Sequence, residues 1–243
     1  MESITNISLK RKIIDSSEDF QKYLSNDILG GETYNLFLEI MGDSHGYLLS
    51  GLIRDYFLML HRSVRDLDFV FQISKLNLLK YKEFLKKKNI SFNYNSFKGL
   101  KIKSSEFPDI DIWKLENTWG IKHQNLKPTV NSLIDSVFFN FSAIAFDLQG
   151  KKFIFNDHFI NFLSTKYLDI VYPENPNIPL CLFNICYYTE SLELDISENV
   201  KAWVKSNYTA DLDFDQVQMK HLGKIQYTSN YINTFLKKIQ DGK

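Results

Sequence analysis

Gly46-Tyr47-Leu48-Leu49-Ser50-Gly51-Leu52-Ile53-Arg54-Asp55 and, a short loop later, Arg65-Asp66-Leu67-Asp68-Phe69-Val70-Phe71-Gln72-Ile73 are the stretches from which the rest of the chain is read. The first reads as a short strand, Tyr47 to Leu49, a turn at Ser50-Gly51, and a helix running to about Arg62. Leu52, Ile53, Tyr56, Phe57 and Leu60 form the core face of that helix, while Arg54, Asp55, His61 and Arg62 stay polar. The second is a strand by alternation. Leu67, Phe69, Phe71 and Ile73 point one way and Asp66, Asp68, Val70 and Gln72 the other.

That alternation sets Asp66 and Asp68 side by side on one face. Two carboxylates so close repel unless a cation neutralises them, and hard oxygen ligands favour a divalent ion, magnesium before others. Two such ions would serve phosphoryl transfer, one at the attacking hydroxyl and one at the triphosphate. In Asp109-Ile110-Asp111-Ile112-Trp113, within a strand expected over Phe107 to Leu115, the acids again share a face and the isoleucines the opposite one. Asp111 is the preferred third catalytic and metal-binding carboxylate; Asp109 in its place, or a site of two carboxylates only, are the alternatives. Ser50 and Gly51, at a strand-to-helix turn, offer backbone amides to phosphate, with Arg54 one turn further on to add charge.

The remaining elements follow from the same patterns. Glu18 to Asp43 reads as two helices broken at Gly30 and Gly31, residues 75 to 88 as a lysine-rich amphipathic helix, and Ile90 to Asn95 with Leu100 to Lys103 as a hairpin. A helix from about Asn131 to Phe139 leads into a strand, Ser142 to Leu148, which turns at Gln149-Gly150 into Lys152 to Phe155. Prolines at 173, 176 and 179 mark a linker, beyond which the chain reads as helices with Ser197 and Ser229 as N-caps. The fold class expected is α/β (α+β): a mixed sheet flanked by helices, then a small all-helical C-terminal domain. Its parts are an N-terminal helical extension over residues 1–29, a catalytic head over 30–172 and a helical appendage over 180–243.

Composition narrows the function. The chain of 243 residues is 44% hydrophobic and 15% aromatic, ample for a buried core, and 29 basic residues match 29 acidic ones. This neutrality argues against a global nucleic-acid surface and against binding to a DNA duplex, so any RNA contact is local. Cys181 and Cys186 have no second pair and read as core residues, and the five histidines are scattered, which argues against zinc. No run reaches the length of a membrane span and the N-terminus does not read as a signal peptide, so a cytoplasmic setting is the default expectation. Lysines at 75, 80, 82, 86, 87, 88, 98, 101 and 103 read as a solvated face or a path for RNA phosphates. Trp113, Asn117 and Trp119 read as packing or as a frame for a base.

The run Gly46 to Asp55 followed by Asp66-Leu67-Asp68-Phe69-Val70 resembles the head-domain signature of class II tRNA nucleotidyltransferases, the CCA-adding enzymes, and bacterial poly(A) polymerases. These carry Gly-Gly-x-Val-Arg-Asp and then Asp-x-Asp, within the DNA polymerase beta superfamily. A weaker likeness spans roughly residues 30 to 205. The resemblance implies a nucleotidyltransferase fold, metal ligation by Asp66 and Asp68, triphosphate contacts from Ser50, Gly51 and Arg54, and Asp55 orienting the Arg54 turn. It also implies ATP or another nucleoside triphosphate as donor and an RNA or tRNA 3′ end as acceptor. The departures are specific. Ser50 replaces the first glycine, Ser136, Val137 and Phe138 stand where the family has the Arg-Arg-Asp that holds ribose and phosphate, and Cys181, Asn184 and Tyr187 stand at the neck arginines. Two other readings are therefore kept: nucleotidylation of a small molecule or protein, as in the aminoglycoside nucleotidyltransferases, and a degenerate nucleotide-binding protein.

Overall fold

The computed structural model describes residues 3–41, 44–49, 51–72, 78–87, 90–210 and 212–242. The chain divides into two compact units, residues 1–137 with 141–164, and residues 138–140 with 165–243.

The first unit is built on a seven-stranded mixed sheet. Its strands are β1 (His45–Leu49), β2 (Asp66–Gln72), β3 (Ser91–Tyr94), β4 (Leu100–Lys103), β5 (Asp109–Lys114), β6 (Ile144–Asp147) and β7 (Lys152–Phe155), in the order β3-β4-β5-β2-β1-β6-β7. β2 and β5 run parallel and all other neighbours antiparallel. One face is apolar over its centre: Leu48, Leu67, Phe69, Phe71, Ile110, Ile112 and Phe146 are at most 1% exposed. Residues placed on that face by alternation are thus the ones removed from water, as a sheet with one covered face requires.

The covering comes from the start of the chain. α1 (Ile4–Asp15), capped by Ser3, is followed by α2 (Ser17–Lys22), a π-helical turn over Tyr23–Ile28, and α3 (Gly31–Met41). Phe20 is fully buried, its ring 5.0 Å from those of Tyr56, Phe146 and Phe153, and Phe37 stacks on Phe69 at 5.1 Å. α4 (Gly51–Phe57) packs on β2 and β6. α5 (Leu78–Lys87), α6 (Trp119–His123), α7 (Val130–Asp135) and α8 (Asp157–Thr165) complete the helices up to the boundary with the second unit.

Several boundaries differ from the sequence reading. The helix opening at Gly51 stops at Phe57 instead of Arg62, because Met59 takes a left-handed φ of 57° and the amide of Leu60 bonds back to the Asp55 carbonyl. α7 stops at Asp135 instead of Phe139. The backbone beyond it leaves the helix, and Phe139 pairs with Ile170 inside the second unit. The strand read from Ser142 begins at Ile144, after a 3₁₀ turn over Asn140–Ser142.

The second unit holds α9 (Ile178–Leu192), α10 (Glu198–Asn207), α11 (Phe214–Leu222) and α12 (Ser229–Gln240) around Leu182, Phe183, Cys186, Val200, Phe214, Ile232 and Leu236. Burial pushes both cysteine thiols up to about 12, as for inert core residues. Ser197 caps α10, accepting from the Val200 amide at 3.2 Å. α12 is capped by Thr228 and not by Ser229, which is the first helical residue and donates its hydroxyl to Asp215 at 2.6 Å. A two-residue parallel pair, β8 (Tyr167–Leu168) with β9 (Asp195–Ile196), was not anticipated, since two residues carry no readable periodicity. Among the described residues no helix is long and apolar enough to cross a membrane.

Candidate active site

The register of β2 against β5 decides the site. Asp66 lies beside Asp109 and Asp68 beside Asp111, so four carboxylates emerge on one face at the start of two adjacent parallel strands. β1 runs antiparallel to β2, with Leu48 opposite Phe69. One further step along that register brings Leu49 next to Asp68. The turn into α4 at Gly51 therefore lies at the same rim of the sheet as the acids. Farther along, the same face closes into a dry floor of Val70, Trp113, Leu115, Ile121 and Leu133, with Leu49, Phe97 and Leu126 packed against it.

Each acid meets a different environment. The Arg65 guanidinium grips one oxygen of Asp66, with Nε at 3.0 Å and a terminal nitrogen at 2.8 Å from Oδ2. Asp111 is held twice, by Lys101 Nζ at 2.8 Å from Oδ2 and by Asn95 Nδ2 at 3.0 Å from Oδ1. Lys101 also reaches Asp109 at 3.8 Å. Asp68 carries the tension of the group: burial foremost, and then the charges of Asp66 and Asp111, push its carboxyl from 3.8 up to about 7, against the pull of Lys101 and Arg65.

Four carboxylates thus face two cations. Among the described residues no three His, Cys, Asp or Glu side chains are gathered closely enough to hold a metal ion as they stand; Asp66 pairs with Arg65 and Asp111 with Lys101. The donor set nevertheless fits a hard divalent cation: carboxylate oxygens only, on one face, carrying more negative charge than the described residues neutralise.

At the turn, Ser50 lies outside the described residues. A Cβ built on Gly51 meets nothing within 4 Å, so no contact with the described residues demands glycine there. Arg54 is only 7% exposed; its guanidinium pairs with Asp55 Oδ1 at 2.7 Å and lies 5.0 Å from the centre of the Phe141 ring. Arg54 and Asp55 thus form a largely buried ion pair in the first turn of α4.

Asn95 was missed by sequence reading, although the signal, Asn-Ser-Phe-Lys-Gly between two short strands, was present. Its Oδ1 accepts from the amides of Phe97 and Gly99 at 3.1 and 2.8 Å while its Nδ2 holds Asp111, so one side chain ties the hairpin turn to the acid face. Trp113 is buried, stacked on Phe97 at 4.7 Å, and donates its indole N–H to Thr118 at 3.0 Å. Asn117 and Trp119 follow the far end of β5 from the acids. Ser136 is buried against Gly120, where an added Cβ would lie 2.4 Å from its carbonyl oxygen. Glycine at 120 is what this close approach to Ser136 requires.

No protein-family model matches the chain, and a search of curated proteins finds no match. Solved structures do match. A CCA-adding enzyme in complex with ATP superposes with a TM-score of 0.62 at 14% identity, over 86% of this chain and 51% of that one. A tRNA nucleotidyltransferase complexed with a primer tRNA and an incoming ATP analog gives 0.59 at 14% identity, over 86% and 60%. A CCA-adding enzyme in its apo form gives 0.62 at 15%, over 86% and 51%. The likeness is one of fold, and the chain spans about half the length of the structures it matches. The mixed sheet with flanking helices is a fold shared with part of each of these enzymes.

Proposed function

We propose that the chain is a nucleotidyltransferase that moves a nucleoside monophosphate, AMP from ATP in the first instance, onto an acceptor hydroxyl. The observation that carries the reading is the register of β2 and β5, which gathers four acids beside the turn at Gly51. Asp66 and Asp68 would hold magnesium, with Asp111 the third carboxylate of the face. The chemistry a bound divalent ion supplies there is neutralisation of the triphosphate and a more acidic attacking hydroxyl.

The chain's own residues do the rest. The acceptor oxygen forms a bond to the α-phosphorus, the bond from that phosphorus to the leaving pyrophosphate breaks, and the hydroxyl proton passes to a carboxylate of the face. Ser50 and Gly51 contact the triphosphate; that no described residue lies over Gly51 supports close approach of a phosphate to bare backbone. Arg54, braced by Asp55 and Phe141, keeps the turn in place. The apolar floor under Val70 and Trp113 excludes water from one side of the acids.

The first acceptor to test is an RNA 3′ hydroxyl, supported by the fold shared with structures that hold tRNA and ATP or its analog. A small-molecule or protein acceptor is favoured by one feature of the chain: Ser136 is buried in helix packing where the family resemblance puts an RNA-enzyme arginine. Incubation with labelled nucleoside triphosphates, magnesium and separate pools of RNA, protein and metabolites distinguishes them, label in one pool naming the acceptor. Asp66→Asn and Asp68→Asn are expected to lose activity by on the order of a thousandfold. No label in any pool, with a melting temperature indifferent to ATP and magnesium, overturns the proposal in favour of a degenerate protein.

A further inference from the structure

The rim already contains a cation of its own. Lys101 faces Asp111 across the β4–β5 rung, its Nζ 2.8 Å from Asp111 and 3.8 Å from Asp109, with Asp66 and Asp68 within electrostatic reach. Its side chain is 32% exposed, and the β3–β4 hairpin that carries it is pinned to Asp111 a second time through Asn95. Both oxygens of Asp111 are therefore engaged by the chain. Asp66 differs: Arg65, 55% exposed, engages it through Oδ2.

Resting on the metal-dependent reading above, we propose that Lys101 is the second cation of this face: the chain takes up one divalent ion, on Asp66 and Asp68, and the Lys101 ammonium replaces the other. Before any triphosphate arrives, the four carboxylates are matched by Arg65, Lys101 and one dication. A second dication would have to break the 2.8 Å pair and leave an ammonium beside a doubly charged ion, where like charges repel most. Asp109 and Asp111 thus position Lys101, and Asn95 positions Asp111.

The test is titration of the 243-residue chain with manganese alone, following free Mn2+ by electron paramagnetic resonance. The unaltered chain and Lys101→Arg are expected to bind one ion each. Lys101→Met is expected to bind two, and Lys101→Met with Asp111→Asn to return to one. Melting curves and circular dichroism establish that each variant is folded. Two ions on the unaltered chain overturn the proposal alone and leave the metal-dependent reading standing. One ion, or none, on a folded Lys101→Met also overturns it, and no ion on any variant removes the metal-dependent reading with it.

Discussion

At Asp68, burial and two neighbouring carboxylates oppose ionisation, so the metal-free fold works against its own charge at that residue. Asp68→Asn removes the repulsion while keeping the shape. In the presence of a chelator at neutral pH its melting temperature is expected to match or exceed that of the unaltered protein, although transfer is lost; a clear drop in melting temperature would contradict this account. Gly51 gives the opposite separation. Because no described residue packs where its Cβ would be, Gly51→Ala is expected to change stability by less than about 1 kcal/mol, while a bulkier turn weakens nucleoside triphosphate binding as measured by calorimetry. Both residues were legible in the sequence from alternation and from the strand-to-helix turn. Their charge state and the space around them were not, since each depends on strands and helices distant along the chain.

The β3–β4 hairpin is the element on which the acid face leans. Asn95→Ala would strip the acceptor from the amides of Phe97 and Gly99 and the donor from Asp111, at a cost of about 1–3 kcal/mol measured by chemical denaturation. Gly99→Ala should be worse. Its Cβ would fall 1.9 Å from the backbone oxygen of Ile112, and backbone on a central strand has no room to yield. A Gly99→Ala protein as stable as its parent would show that the hairpin does not lie as described. The hairpin itself was readable from two short alternating runs around a turn. That Asn95 bonds to Asp111 was not, because the two are brought together only by the order of strands β3, β4 and β5.

At the scale of the molecule, the first helices and the sheet fall in one compact unit. Phe20 packs on rings from α4, β6 and β7, so Phe20→Ala is expected to destabilise the first unit by about 3–5 kcal/mol, seen as one unfolding transition of that unit moving to lower denaturant. If the mutation instead left the sheet's transition in place and melted only the first helices, residues 3–28 would be a detachable layer. Composition and periodicity pointed to helices there. They carried no signal that Phe20 lies against strands more than a hundred residues later.

Local pattern was enough for the mixed α/β class, for the two acidic strands and for the turn between β1 and α4, because period-two alternation and strand-to-helix junctions are properties of neighbouring residues. The chain alone also identified which carboxylates face together within each strand. Only the tertiary structure decided that β2 and β5 are parallel neighbours, that Lys101 and Asn95 close on Asp111, and that Arg54 is buried against Phe141. Those outcomes depend on strand order and on which side chains meet across it, and chain entropy allows many such pairings until burial of the shared apolar face selects one.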